Sequence, residues 1–193
     1  MKKTFTILTI VVLSTTISFA QQGTVALGVG SNLANQSWQD YSLVPTVGYF
    51  MTDNIMVGTG FSMFSSNDEV NSVEYKLNDM SISPFARFYL NESMYVSAGV
   101  NMTSSSDVEE APGSLDYKDT YKVSTFGFNG GIGYSLMWND HICIEPSLGF
   151  RTSSGTSTSK YESGGNTNST STDTPTTFGI GIGLGINIRL GVE

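Results

Sequence analysis

The sequence predicts an all-β chain folding as an eight-stranded antiparallel up-and-down transmembrane β-barrel. Three observations carry this expectation: a long final segment of strict alternation, weaker copies of it upstream, and connections that are short and long by turns. From Phe178 to Val192 every even position is apolar, while the odd positions hold Gly179, Gly181, Gly183, Gly185, Asn187, Arg189 and Gly191. Successive strand side chains point to opposite faces, so this segment has one oily face and one small or polar face. Its length exceeds the roughly 5–6 residues of a typical strand; at about 3.3 Å per residue, tilted near 45°, it crosses the roughly 25 Å apolar band of an outer-membrane barrel.

Taken in order, the chain opens with Lys2 and Lys3, an apolar stretch from Phe5 to Leu13, and Ser18-Phe19-Ala20 before Gln21. This is the pattern of a secretory signal peptide with a small-x-small cleavage site. Residues 1–20 are therefore expected to be removed, and residues 21–193 to form one barrel domain. The first strand places Val25, Leu27 and Val29 outward. The second, from about Tyr41 to Met51, does the same with Leu43, Pro45, Val47, Tyr49 and Met51. Ile55, Val57, Phe61 and Met63 mark the third, and Ile82, Pro84, Ala86, Phe88 and Leu90 the fourth. The fifth carries Val96, Ala98, Val100 and Met102, the sixth Phe126, Phe128, Ile132, Tyr134, Leu136 and Trp138, and the seventh Ile142, Ile144, Pro146, Leu148 and Phe150. Proline removes a ladder hydrogen bond, so bulges are expected at Pro45, Pro84 and Pro146.

Thr52-Asp53-Asn54, Asn91-Glu92-Ser93 and Asn139-Asp140-His141 are tight-turn sequences. The other connections, near Leu33–Asp40, Ser66–Glu74, Ser104–Asp119 and Thr152–Pro175, are long and polar. Strict alternation of short and long ends is the pattern of periplasmic turns and extracellular loops. The last connection is rich in Ser, Thr, Gly and Asn and is expected to be mobile, because it offers little apolar surface to offset its ordering entropy. Tyr49, Phe88, Tyr134 and Trp138 near the short turns, and Tyr41, Phe61, Phe126, Phe150 and Phe178 near the long connections, read as two interfacial aromatic girdles.

The signal peptide, the eight alternating segments, the Tyr49–Asn54 and Phe88–Glu92 turn segments and the glycine-alternating final strand together resemble the small eight-stranded outer-membrane barrels of the OmpX/OmpW-like group found in Bacteroidota. The resemblance implies an outer-membrane location, contact with outer-membrane lipid and lipopolysaccharide, and insertion by the barrel assembly machinery. It implies a non-enzymatic structural and surface-interaction role, with an extracellular partner at the loops. The alternative is a narrow channel for small apolar solutes. A terminal aromatic residue is usual in such barrels, and this chain ends Leu190-Gly191-Val192-Glu193. A monomer without cofactors is expected. A soluble carrier of the same strand count is a third reading, which cell fractionation separates from the others.

Composition narrows the chemistry. The 193 residues include 17 acidic and 9 Lys or Arg side chains, a formal charge of −8, which disfavours a nucleic-acid partner. Cys143 is the only cysteine and His141 the only histidine. An internal disulfide is thus excluded, and His141 lacks the partners that a catalytic triad or zinc site requires. Cys143 should face inward as a small filler. The carboxylates Asp68, Glu69, Glu74, Asp107, Glu109, Glu110, Asp116 and Asp119 lack calcium-loop spacing and read as a solvated acidic face. Three inward charges remain: Arg87, Glu145 and Arg189. Each lies near a short turn or the C-terminus, so the three are expected at similar depth. Unpaired charge there is costly, which predicts a hydrogen-bonded cluster that plugs the lower lumen, with a proton or solute gate as the functional alternative.

Overall fold

The computed structural model describes residues 22–32, 44–111 and 117–191. The segment expected to be a signal peptide, the connection around Leu33–Asp40, Tyr41, Leu43, Asp116, Val192 and Glu193 lie outside the described residues. The described residues form nine strands: β1 (Val25–Asn32), β2 (Val44–Thr52), β3 (Ile55–Val70), β4 (Val73–Tyr89), β5 (Met94–Ala111), β6 (Tyr117–Tyr134), β7 (Leu136–Met137), β8 (Ile142–Ser163) and β9 (Asn166–Leu190). Every pairing is antiparallel, in the order β6-β5-β4-β3-β2-β1-β9-β8-β7, and a further β6–β8 pairing closes the sheet on itself.

The expectation of eight strands is therefore corrected to nine. The sixth expected segment is divided at Ser135 into β6 and β7 without a change of register: Gly133 faces Ser147 before the break, and Leu136 faces Ile144 after it. That register sets Pro146 of β8 opposite Tyr134. Proline has no N–H to donate, so the ladder lapses there. On the other side, the Ser135 N–H continues the β5 register and donates to the Ser93 carbonyl at 2.6 Å.

The apolar faces point outward. Leu27, Val47, Phe61, Phe88, Val96, Phe128, Ile132, Leu148 and the even positions from Phe178 to Leu190 are all exposed, whereas few large side chains are buried. A continuous exposed apolar surface of this extent is matched to lipid rather than water. Tyr49, Phe88, Tyr134 and Trp138 are exposed at the short-turn level, and Phe61, Phe126, Phe150 and Phe178 at the other. Phe150 stacks on Phe178, and Phe126 meets Phe128 edge to face.

The short turns form as their sequences dictate. The Asn91 side-chain oxygen accepts from the N–H groups of Ser93 and Met94, and Asn139 caps His141 and Ile142 in the same way. The Thr52 hydroxyl accepts from Ile55 N–H at 3.1 Å. Such local side-chain bonds replace the missing ladder partners.

The long connections differ from expectation. Two of them are continuous hairpins, with β3 and β4 paired as far as Val70 and Val73 and β8 and β9 as far as Ser163 and Asn166, and β5 and β6 pair as far as Ala111 and Tyr117. Positive φ at Asn71 and Ser72, and at Gly164 and Gly165, closes two of them tightly. The Thr152–Pro175 segment is thus strand rather than mobile loop. Its threonines favour extended backbone, and β8 is laddered on both sides, to β6 and β9, so the backbone is satisfied without an apolar core. Hydroxyl pairs Ser153–Thr177 and Thr158–Ser171, each at 2.9 Å, add cross-strand contacts. The expected bulges also move. Register shifts occur between Phe50 and Thr52 and between Ser153 and Gly155, opposite the stretch holding Pro175, and not at Pro45, Pro84 or Pro146. Pro84 merely leaves a gap in the β4–β5 ladder, with the register unchanged on either side.

Candidate functional site

The polar residues of the lumen converge at the short-turn end. Glu145 on β8 is 3% exposed, and four donors from different segments surround its carboxylate. Arg87 of β4 and Asn187 of β9 each donate to Oε2 at 2.6 Å. The Ser135 hydroxyl donates to Oε1 at 2.9 Å, and the Cys143 thiol approaches the same oxygen at 3.7 Å. The unchanged register sets Ser135 opposite Glu145 and so delivers a hydroxyl to the buried carboxylate. A buried charge is tolerated when it is paired and its lone pairs are filled, and both conditions hold here.

Arg189 does not join this ion pair. Its guanidinium lies 5.3 Å from the Phe50 ring and 5.8 Å from the Tyr89 ring, and its Nη2 has no hydrogen-bond partner. Arg87 is also held by rings, 4.5 Å from Tyr95 and 5.1 Å from Phe85. Phe50, Tyr89 and Tyr95 form a chain of tilted ring contacts, each with centroids 5.3 Å apart, and Met56 and Ala26 complete the buried cluster. Aromatic faces attract cations, so rings share with Glu145 the task of accommodating the two arginines. Of the three residues expected to cluster, Arg87 and Glu145 meet directly, and Arg189 sits on the adjoining aromatic layer.

That aromatic layer is not among the expected site residues. Its signal is parity: Tyr49 and Met51, Phe88 and Val96 face lipid, so Phe50, Tyr89 and Tyr95 must face the lumen. Space is made for them by small neighbours. At Gly133 a Cβ would overlap the Tyr95 ring, and at Gly28 it would overlap the Asn187 amide.

Above the cluster the lumen opens into a cavity of about 330 Å³. Ser83, Asn101, Asn129, Ser147 and Arg151 line it, with Gly181 and Gly183 leaving room. Asn101 is 2% exposed, and neither of its amide atoms has a partner.

Elsewhere, His141 is exposed in its turn and Cys143 is fully buried. Among the described residues no group of three His, Cys, Asp or Glu side chains is arranged to hold a metal. The acidic hairpins are ion-paired: Lys76 lies 2.6 Å from Glu74, Lys118 3.3 Å from Glu110, and Lys160 2.8 Å from Glu162. Lys160 holds the Glu162 carboxyl below its ordinary value. The Tyr117 hydroxyl donates to Glu109, and this bond pushes the phenol up to about 12.

A closed antiparallel sheet with an apolar outside, aromatic girdles and a polar lumen defines a β-barrel of the outer-membrane type. A profile of the autotransporter beta-domain matches residues 19–192, and the chain belongs to that family. With the nine strands, this corrects the OmpX/OmpW-like, Bacteroidota-type resemblance. A search of curated proteins finds no match. Among solved structures, a major outer membrane protein from Thermus thermophilus aligns with a TM-score of 0.53 at 11% identity, covering 86% of this chain and 98% of the other. Ail, the attachment invasion locus protein of Yersinia pestis, aligns with a TM-score of 0.46 at 10% identity, over 88% and 99% of the two chains. The N-terminal barrel domain of Pseudomonas aeruginosa OprF gives 0.41 at 14% identity, over 88% and 98%. At such identities the Thermus alignment speaks to the fold alone.

Proposed function

We propose that the protein is a non-enzymatic outer-membrane barrel whose lumen is sealed at the periplasmic end and whose extended hairpins form its working surface outside the cell. Residues 1–20 act as a signal peptide in this reading, and residues 21–193 as the barrel domain, a monomer inserted by the barrel assembly machinery among outer-membrane lipid and lipopolysaccharide. The supporting observation is the plug. Arg87, Glu145 and Asn187 span the lumen from β4, β8 and β9 over a layer of buried rings, while the β8–β9 hairpin, apart from Tyr161, is polar on both faces. A solvated hairpin surface suits contact with an extracellular partner. The channel for small apolar solutes is less well supported, because its route is closed by the plug and the cavity above carries Asn101, Asn129, Arg151 and three serines among its glycines and apolar residues.

Two measurements test this reading. Single-channel recording in planar bilayers is expected to show no steady conductance for the unaltered barrel; a steady open state means that the lumen is not sealed. On intact cells, a membrane-impermeant maleimide is expected to label Gly165→Cys but not Asp140→Cys. The reverse labelling, or recovery of the protein in the soluble periplasm, overturns the proposed location and orientation.

A further inference from the structure

We propose that the inner face of the extended hairpins is a docking surface for an extended basic polypeptide, a segment carrying several lysine or arginine side chains. The proposal rests on the reading of the hairpins as the working surface outside the cell. β1 is laddered to β9 only as far as Asn32 and Gly183, and β2 to β3 only as far as Thr46 and Gly60. Beyond that level β3, β4, β5, β6, β8 and β9 continue as one sheet. A single row of cross-strand partners runs its whole width: Asp68, Tyr75, Glu109, Asp119, Tyr161 and Asn168. In the row below, Asp107 faces Tyr121. Directly paired residues project from the same face, and alternation from the lipid-facing Phe61, Ile82, Met102, Phe126 and Phe150 assigns both rows to the inner one.

Charge is sorted between the two faces. The same alternation puts Lys76, Lys118, Lys122 and Lys160 on the outer face, where three of them pair with Glu74, Glu110 and Glu162. It puts Asp68, Asp79, Asp107, Glu109 and Asp119 on the inner face, and none of these forms an ion pair among the described residues. Hydroxyls of Ser66 and Tyr117 donate to Asp68 and Glu109, which orients these carboxylates without neutralising them. The chain has no cation to lend: outside the described residues its only Lys or Arg are Lys2 and Lys3. Arg87 and Arg189 belong to the plug, and Arg151 lies about 33 Å down β8 from Tyr161. The counter-charge for this face therefore comes from another molecule.

The tyrosines point the same way independently. Tyr75, Tyr121 and Tyr161 are 39%, 51% and 48% exposed, and Tyr117 stacks on Tyr161 with centroids 6.3 Å apart. They stand beyond the lipid-facing girdle and on the opposite face, so neither lipid nor a core accounts for them. Rigid rings with hydroxyl tips are typical of recognition surfaces, and their faces attract cations. Carboxylates about 5 Å apart at Glu109 and Asp119, and about 14 Å apart from Asp68 to Asp119, suit a string of cations rather than one ion. Among the described residues no three acidic groups converge as a metal site requires. Across the strands the row measures about 24 Å, the span of an extended segment of roughly eight residues.

The test uses the full barrel in lipid nanodiscs and a synthetic peptide of that length alternating lysine and serine, with binding read by isothermal titration calorimetry. Saturable binding that weakens with added salt is expected, and none for the counterpart alternating glutamate and serine. Asp68→Asn, Glu109→Gln and Asp119→Asn together should weaken binding about tenfold or more. Glu69→Gln, Glu74→Gln and Asp173→Asn remove the same charge from the outer face and should change it by less than about twofold. Tyr121→Ser combined with Tyr161→Ser should weaken it about fivefold. Absence of saturable binding, or equal losses in the two charge variants, overturns the proposal. Spermine binding as tightly as the peptide overturns the assignment to a polypeptide. If Gly165→Cys is labelled on intact cells and yet no peptide binds, the external-surface reading stands and this inference alone fails.

Discussion

At the short-turn end of the barrel, Glu145, Arg87, Asn187, Ser135 and a chain of three rings interlock across the lumen, so each strand is fixed by side chains from several others. In the hairpins beyond Thr152 and Phe178, the same strands continue with neither face buried, and backbone pairing with scattered hydroxyl contacts is what aligns them. One end is specified by particular residues, and the other by composition. Local stability should follow this division, with opening of the hairpins far less costly than opening of the plug.

The largest expected effect comes from removing the hub of the plug. Glu145→Ala leaves Arg87 buried without its counter-ion and should destabilise the barrel by about 3–5 kcal/mol, read as a lower urea midpoint for unfolding from lipid vesicles. Glu145→Gln keeps the acceptor for Asn187 and should cost less; equal losses for the two substitutions would mean that the charge pair is not what matters. A much smaller effect is expected at the other end. Replacing residues 156–173 by a two-residue Asn-Gly turn should leave the urea midpoint within about 0.5–1 kcal/mol of the parent, since the segment buries no core. A loss comparable to Glu145→Ala would erase the distinction between the two regions. The smallest effect is a local titration. Because Tyr117 donates to Glu109, its ionisation is raised, and the contact is present below the ordinary phenol range and lost as pH rises toward about 12. Ultraviolet difference titration should show one tyrosine moving to lower pH in Glu109→Gln, with no change in the urea midpoint at neutral pH.

How much of this is legible in the sequence depends on whether a feature is local or relational. Outward faces such as Phe178 to Leu190 follow from period two, and the turns at Asn91 and Asn139 from side chains that bond their own backbone. The meeting of Arg87 with Glu145 can be anticipated because an isolated buried charge is costly. The position of Arg189 cannot, since cation–π contact with Phe50 and Tyr89 depends on which strands face one another across the lumen. Parity nevertheless marks both rings as inward. The break at Ser135 depends on the register that sets Pro146 opposite Tyr134, and no property of either residue alone fixes that. The hairpins escape a sequence reading for a different reason: Ser and Thr runs read as disordered when considered singly, whereas a ladder on both sides of β8 makes them sheet.

The Gly164–Gly165 corner closes β8 onto β9, with no heavy atom within 4 Å of where a side chain would begin at either residue. From the ring of Phe150 on the apolar surface this corner stands about 45 Å further along the strand. An added sequence placed there would meet no steric obstacle from its own scaffold. The tip is accordingly a mast for displaying grafted epitopes, laddered along its length and permissive at its end.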